Sequence, residues 1–441
     1  MYKSFFKNQL WLQALNWLIK PLWIFAIERT VQLKLGDEWY GNYFVIFNLG
    51  LLFAVLLDAG LNNYISREIS AAGRLVHKKR ILYLRLFLGV LYVLFVFFAG
   101  WNQSLNLQLL FLVALNQILA SFSLMFRAIL QGRHRFIADS ILSVLDRFVA
   151  LIFCSIFLYT FSQEFTAEKG IMLFLISQFF GYFIAVVFGF IMVKTTNHAE
   201  PPTDYSAALS LEKETLKNWV QKVGWYVVMA FAMSVFTRID ALMIRRFATD
   251  GFTTYLKPIS EGYYQAGIYA QSYRFLDAAL IFSALLSTQL LPIFTRKLSE
   301  NESVKDILKL STMIVFVVGV LSATIAIFAG EKMLNFIYHE GYSSAMELLY
   351  ASKIFAVLMS AFLPMALIHV FGTFVTALGK MKWLAIVAMI CMVLNVALNY
   401  VFVPKMGALG AAYGCFITQF VFAIACIFKS WSFVKKSRTT V

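Results

Sequence analysis

Charged residues are scarce in this sequence. They fill 14% of its 441 positions, against about a quarter in a soluble domain. So few charges cannot cover the water-exposed surface of a chain this long, and 61% of the residues are hydrophobic. The chain therefore reads as an integral membrane protein, which excludes a soluble enzyme, a secreted disulfide scaffold and a free nucleic-acid binder. Cysteine is nearly absent too. Cys154, Cys391, Cys415 and Cys426 all lie in apolar runs without a CxxC or other paired spacing, so neither a disulfide framework nor a metal site is expected. Of five histidines only His369 falls in an apolar run, where it is a weak candidate for a proton relay. Paired carboxylates, a nucleotide-binding loop and a nucleophile motif are missing, so no enzyme is expected. Acidic residues are outnumbered by basic ones, 38 − 23 = +15, and in a membrane protein that excess belongs first to the cytoplasmic loops.

Long apolar runs are what the sequence has in abundance. Twelve are long enough to cross a bilayer, a task that needs about 20 residues. The first six lie near Leu10–Glu28, Tyr40–Leu57, Ile81–Ala99, Leu107–Ile129, Ile137–Phe161 and Gly170–Val193. The second six lie near Val223–Ile244, Tyr263–Leu291, Leu310–Ala329, Met346–Leu378, Trp383–Val403 and Ala408–Phe428. The runs are unbroken rather than alternating, which argues against a barrel. The first run lacks a small-residue cleavage site and contains Lys20 and Pro21, so it is expected to act as an uncleaved targeting signal. Placing both termini inside puts roughly threefold more Lys and Arg in the inner segments than in the outer ones, in loop after loop.

The longest polar stretch, Lys194 to Lys222, holds Pro201-Pro202 and Glu212-Lys213-Glu214 and reads as a cytoplasmic linker with a short amphipathic helix. It divides the chain into an N-terminal six-helix lobe, residues 1–193, the linker, 194–222, and a C-terminal six-helix lobe with a cytoplasmic tail, 223–441. Gly41-Asn42-Tyr43 followed by Phe47-Asn48 has a counterpart in Gly267-Ile268-Tyr269 followed by Tyr273-Arg274. Gln131-Gly132-Arg133 is matched by Leu378-Gly379-Lys380 in the same way. The expected architecture is all-α: twelve transmembrane helices in two pseudo-symmetric lobes around a central cavity, a parallel repeat of the kind transporters use. Helices 2 and 8 are then expected to flank the cavity, with Pro21 and Pro364 as hinges.

A charge near the bilayer centre costs at least about 2.5–3.5 kcal/mol, so each one within a span is a functional candidate. Lys20 is midway along the first span. Arg147, beside Asp146, lies about 15 Å into the fifth at 1.5 Å per residue. Arg274 is deep in the eighth, with Asp277 at i+3 on the same face, where the two could also form a structural pair. Arg238 and Asp240 sit in the outer half of the seventh, Lys353 lies in the tenth, and Arg127 is near the inner end of the fourth. Lys353 and Arg127 could equally snorkel to the interfaces, and Arg85 is expected to snorkel outright. Asp146 and Arg147 are sequence neighbours and are expected to point about 100° apart, each uncompensated by the other. The deep set holds roughly twice as many basic as acidic residues, which suits an anion, phosphate or pyrophosphate above all. Asn16 and Asn48 are candidate sugar contacts, while Gln117, Gln178, Asn395 and Asn399 are expected mainly to pack helices.

Several segments resemble a known family. They are Arg238-Ile239-Asp240-Ala241-Leu242-Met243, Ala266-Gly267-Ile268-Tyr269, Tyr273-Arg274-Phe275-Leu276-Asp277, Leu394-Asn395-Val396-Ala397-Leu398-Asn399 and Val403-Pro404-Lys405-Met406-Gly407, with Tyr40-Gly41-Asn42-Tyr43 and Asp58-Ala59-Gly60-Leu61-Asn62 in the first half. Together they are similar to the bacterial O-antigen and polysaccharide flippases, in the superfamily that also holds lipid II flippases and multidrug extruders. The resemblance implies a flippase of the bacterial inner membrane that turns an undecaprenyl-pyrophosphate-linked oligosaccharide outward by alternating access. It further implies that Lys20, Arg147, Arg238, Arg274 and Lys353 line a cationic cavity. No cofactor is expected, although an H+ or Na+ gradient or the membrane potential could drive the cycle, with Asp146 as the coupling acid. Expected partners are the lipid-linked glycan, membrane lipids and assembly proteins such as a polysaccharide polymerase, with no nucleic acid. Lipid II flippases carry two further C-terminal helices, so the twelve expected here favour the polysaccharide branch. A cation-coupled multidrug antiporter of the same fold is the alternative, weakened by Lys20 where such extruders often carry an acid. A membrane glycosyltransferase or polymerase would need catalytic acids on a large outer loop, and the outer loops are short.

Overall fold

The structure is a computed structural model that describes residues 18–19, 21–62, 65–66, 69, 78–133, 135–160, 166–195, 216–248, 261–300, 302–338, 341–342 and 344–436. Among the described residues every regular element is helical. A π-helical segment, Trp23–Glu28, leads into α1, Arg29–Leu35. There follow α2, Asp37–Asp58; α3, Lys78–Asn102; α4, Leu107–Gly132; α5, Phe136–Thr160; and α6, Ala167–Thr195. The rest are α7, Leu216–Phe247; α8, Glu261–Ser299; α9, Lys305–Ile337; α10, Ala345–Ala377; α11, Met381–Met406; and α12, Ala408–Lys436. Eleven helices, α2 to α12, are long and apolar enough to cross a membrane. Much of the expected first span, including Asn16 and Lys20, lies outside the described residues, as do Pro201-Pro202 and Glu212-Lys213-Glu214.

Local chemistry explains where several helices begin and end. The Asn106 side chain accepts from the Gln108 and Leu109 amides to open α4. Ser344 accepts from the amide of Glu347 at 3.2 Å to open α10, one half of a capping box. Asp37 and Glu38 fill the first turn of α2, where acids complement the helix dipole. α11 stops at Gly407, whose φ of +59° suits glycine and few other residues. Just after Pro21, where a kink is expected, the chain enters the π-helical segment Trp23–Glu28. α8 runs eight residues beyond its expected end, through Pro292 to Ser299, and α9 likewise overruns both of its expected ends. The apolar run marks only the part of a helix that meets hydrocarbon, and backbone hydrogen bonding carries the helix on into polar surroundings.

The chain forms two compact units. The first comprises Met1–Lys34 and Leu49–Val227, the second Leu35–Asn48 and Val228–Val441. In the first, α6 packs on α4 and α5, and Phe126, Ile129, Leu130, Leu142 and Ala185 form a core with Ile65, Ile69 and Ile81. In the second, α10 packs on α8, α9 and α12. A core there joins Phe236, Ile368, Val375, Leu384 and Phe422 to the thiols Cys391 and Cys426. All four cysteines are free and buried, behaving as small apolar groups. In the second unit Gly41 of α2 and Gly267 of α8 let two backbones meet. A Cβ on Gly41 would overlap the Tyr263 carbonyl, and one on Gly267 the Asp37 carbonyl. The paired Gly-x-Tyr motifs are thus contact points. Just beside them, Tyr342 donates to Gln271 Oε1 at 2.7 Å, and Gln271 Nε2 donates to Asp37 Oδ1 at 3.0 Å. Burial pushes the Tyr342 hydroxyl upward, which keeps it a donor.

Candidate functional site

Three helices of the second unit bring together the densest set of intramembrane charges. Asp277 of α8 stands between two guanidinium groups. Its Oδ2 lies 3.5 Å from Arg274 Nη1, one turn earlier on the same helix, and its Oδ1 lies 3.7 Å from Arg238 Nη2 of α7. The expected Arg274–Asp277 pair is therefore present, but it is shared. Two cations against one carboxylate leave a net positive charge. Arg274 is held more tightly than Arg238. Its Nε donates to the Tyr40 hydroxyl of α2 at 3.2 Å, and its guanidinium lies over Phe44 and Phe47 at 5.4 and 5.5 Å. Arg238 lies over the Tyr273 ring at 5.5 Å, and its buried Nη1 has no hydrogen-bond partner among the described residues. Side-chain exposure is 7% for Arg274 and 24% and 23% for Arg238 and Asp277, so the Arg238–Asp277 edge is the part a ligand can reach.

The aromatic walls follow from helical spacing. Tyr269 and Tyr273 are four residues apart on α8 and so share a face, as Tyr40, Phe44 and Phe47 do on α2. Asp240, two residues beyond Arg238, points away from it and is 1% exposed. Its oxygens accept from the Tyr269 hydroxyl and the Asn399 amide, both at 2.9 Å. Asn399 also donates to the Asn395 carbonyl at 3.0 Å. This buried carboxylate thus ties α7, α8 and α11 together beneath the arginine pair. Residues valued for charge or for helix packing in the sequence prove to be one network, which the i, i+4 spacing of Asn395 and Asn399 could have signalled.

The first unit holds a second group. Arg147 of α5 lies over Trp23 at 5.2 Å and over Tyr182 of α6 at 5.7 Å. Its Nε is 3.7 Å from Asp146 Oδ2. The expectation that each is uncompensated by the other is corrected: the Cα–Cβ bonds diverge, but the long arginine side chain folds back to ion-pair distance. Trp23 Nε1 donates to Glu28 Oε1 at 2.8 Å, and Glu28 is 5% exposed. Sequence reasoning passed over Glu28 because it sits at the end of an apolar run.

Lys20 and Asn16 are outside the described residues. Lys353 is exposed on α10 and makes no hydrogen bond or ion pair among the described residues. Asn48 is buried, and its amide donates back to the Phe44 carbonyl at 2.7 Å, which turns it into its own helix. Arg127 clamps α4 to α5 through Asp139 at 2.7 Å. Arg85 does not snorkel. It is 4% exposed and reaches inward to Ser121. His369 Nδ1 is 2.7 Å from Ser283 Oγ and joins α10 to α8.

Comparison with known proteins fits this architecture. The capsular polysaccharide biosynthesis protein CapF of Staphylococcus aureus is 27% identical over 168 residues, 37% of this chain; the match spans 40% of that protein, well under its full length. A structure of the lipid II flippase MurJ in an inward closed conformation superposes with a TM-score of 0.61 at 14% identity, covering 95% of this chain and 87% of the other. An outward-facing multidrug resistance MATE family transporter of the MOP superfamily gives 0.68 at 14% identity, covering 98% and 96%. These two likenesses show that the chain shares the fold of those multi-pass membrane proteins. The profile of the lipid II flippase MurJ family matches residues 80–441, most of the sequence, and the chain belongs to that family.

Proposed function

We propose that the protein flips an undecaprenyl-pyrophosphate-linked oligosaccharide, the repeat unit of an O-antigen, capsule or exopolysaccharide, from the inner to the outer leaflet of a bacterial cytoplasmic membrane. The observation that carries this reading is the pair Arg238 and Arg274 sharing the single carboxylate Asp277 within the membrane spans. A pyrophosphate can displace or bridge that carboxylate and meet the fork of donors on Arg238. A cationic drug would meet repulsion at the same edge. The similarity to CapF supports a capsule-type glycan, and family membership supports a lipid-linked substrate.

The test is transport in proteoliposomes, with a fluorescent undecaprenyl-pyrophosphate oligosaccharide and with lipid II offered separately. Arg238→Gln and Arg274→Gln should each cut flipping by about tenfold or more, the loss of one charge-assisted contact worth about 1.5–3 kcal/mol. Arg274→Lys should retain part of it. Wild-type rates in both glutamine variants would overturn the assignment, and exclusive transport of lipid II would overturn the polysaccharide substrate. In this reading Lys20, Arg147 and Lys353 also attract the pyrophosphate, and a cation gradient or the membrane potential resets the carrier. Both termini lie in the cytoplasm, and polysaccharide-assembly proteins such as a polymerase receive the product.

A further inference from the structure

The first unit has a crevice that the proposed flipping chemistry does not use. It lies between α3, α4 and the end of α2, with a volume of about 330 Å³, and its walls include Leu57, Arg85, Gly89, Val93, Ser121 and Phe122. Its lip is formed by Leu86, Val90 and Leu94, which are exposed and apolar on the outer face of α3. Arg85, Gly89 and Val93 are four residues apart, so the floor of the crevice runs along one stripe of the helix. Gly89 makes the notch: a Cβ built there meets no atom within 4 Å. Open space beside a glycine in an apolar span is room for something else.

The end nearer the start of α3 is basic. Arg85 Nη2 donates to Ser121 Oγ at 2.6 Å and to the Ser121 carbonyl, Nη1 donates to Asn62 Oδ1 at 3.3 Å, and the guanidinium lies over Phe122 at 5.4 Å. Among the described residues no carboxylate lies within ion-pair distance of it. Asp58 acts on it only from farther away, and Asp58 Oδ1 accepts from the Asn62 amide at 3.0 Å. One helical stretch before Arg85, α3 opens with Lys78-Lys79-Arg80, and Lys79 is exposed. Basic side chains at a membrane surface attract anionic lipid headgroups, each contributing about 1 kcal/mol.

We propose that this crevice is a binding site for an anionic phospholipid of the surrounding bilayer. One acyl chain lies along Gly89 and Val93, and the phosphate sits beside the exposed Lys79 at the start of α3, while the buried Arg85 acts on it only through its charge. The apolar walls match the chain, and the excess of positive charge at one end matches the headgroup. A zwitterionic lipid would satisfy the first and gain nothing from the second.

Native mass spectrometry of the full chain in detergent tests this without any transport measurement. Phosphatidylglycerol and phosphatidylcholine of identical acyl chains are titrated separately. The wild type should hold one phosphatidylglycerol about fivefold more tightly than phosphatidylcholine. Gly89→Leu puts a side chain into the notch, where a Cβ meets no atom within 4 Å, and should weaken both lipids at that stoichiometry. Lys79→Gln, on an exposed side chain, should abolish the preference while leaving phosphatidylcholine binding unchanged. Unaltered melting temperatures show that both variants fold. Equal binding of the two lipids by the wild type would overturn the proposal, and so would undiminished phosphatidylglycerol adducts in Gly89→Leu. Displacement of the lipid by inorganic phosphate alone, or by equimolar undecaprenyl phosphate, would overturn the assignment to a phospholipid.

Discussion

Asp277 has two arginine partners and satisfies neither alone, whereas Asp240, about half a turn of α7 beyond Arg238, is enclosed by the neutral donors Tyr269 and Asn399. The two acids therefore answer differently to substitution. Asp240→Ala should strand the buried Tyr269 hydroxyl, at about 1–3 kcal/mol, and leave the Asn399 amide only its bonds to Asn395. The expected outcome is a fall of several degrees in melting temperature, read by thermal unfolding in detergent. Glycine contacts are similarly exacting. Gly267→Ala would press a methyl group on the Asp37 carbonyl, and overpacking of this kind costs about 1–3 kcal/mol. The same melting experiment checks it, with Gly89→Ala as a control expected to show no loss. Charges within the spans were legible as residues of interest from the sequence. Their pairing was legible only for Arg274 with Asp277, one turn apart: Asp277 also finds Arg238 on another helix, and Arg147 folds back on Asp146 by rotations of its own side chain.

At the scale of elements, membrane burial makes helices easy to read and their ends hard to read. A bilayer demands about 20 apolar residues per crossing, so α2 to α12 were visible as runs. The solvated continuations of α7, α8 and α9 were not, because hydropathy changes there while backbone hydrogen bonding does not. The snorkelling expected of Arg85 failed for a related reason. Position along a helix says how deep a side chain starts, and only the neighbouring helix, here α4 with Ser121, decides which way it reaches. Ser344 caps a helix that lies at the centre of its unit. Ser344→Ala should cost about 1 kcal/mol and raise amide hydrogen exchange in the first turn of α10, while the turns around Pro364 stay protected.

At the scale of the molecule, the proposed flipping cycle predicts that each of the two compact units behaves as one body. Spin labels at exposed positions within one unit should keep their separation with and without substrate. Suitable pairs are Trp101 with Phe190 in the first unit and Phe336 with Val393 in the second. A distance change within either pair, measured by pulsed electron resonance, would show that the units themselves deform during the cycle.

The 39 residues of α8 make a rod about 58 Å long at 1.5 Å per residue, and a hydrocarbon layer of about 30 Å cannot hide it even at a tilt of about 40°. One end carries the exposed pairs Arg296–Glu300 at 2.9 Å and Lys297–Glu302 at 2.7 Å. That end therefore stands in water as a sidedness reporter built into the helix that also carries Arg274. A cysteine introduced at Arg296 would react with a membrane-impermeant maleimide from one compartment only. Since the four native thiols are buried, the label would read out which face of the membrane the lower end of the arginine helix addresses.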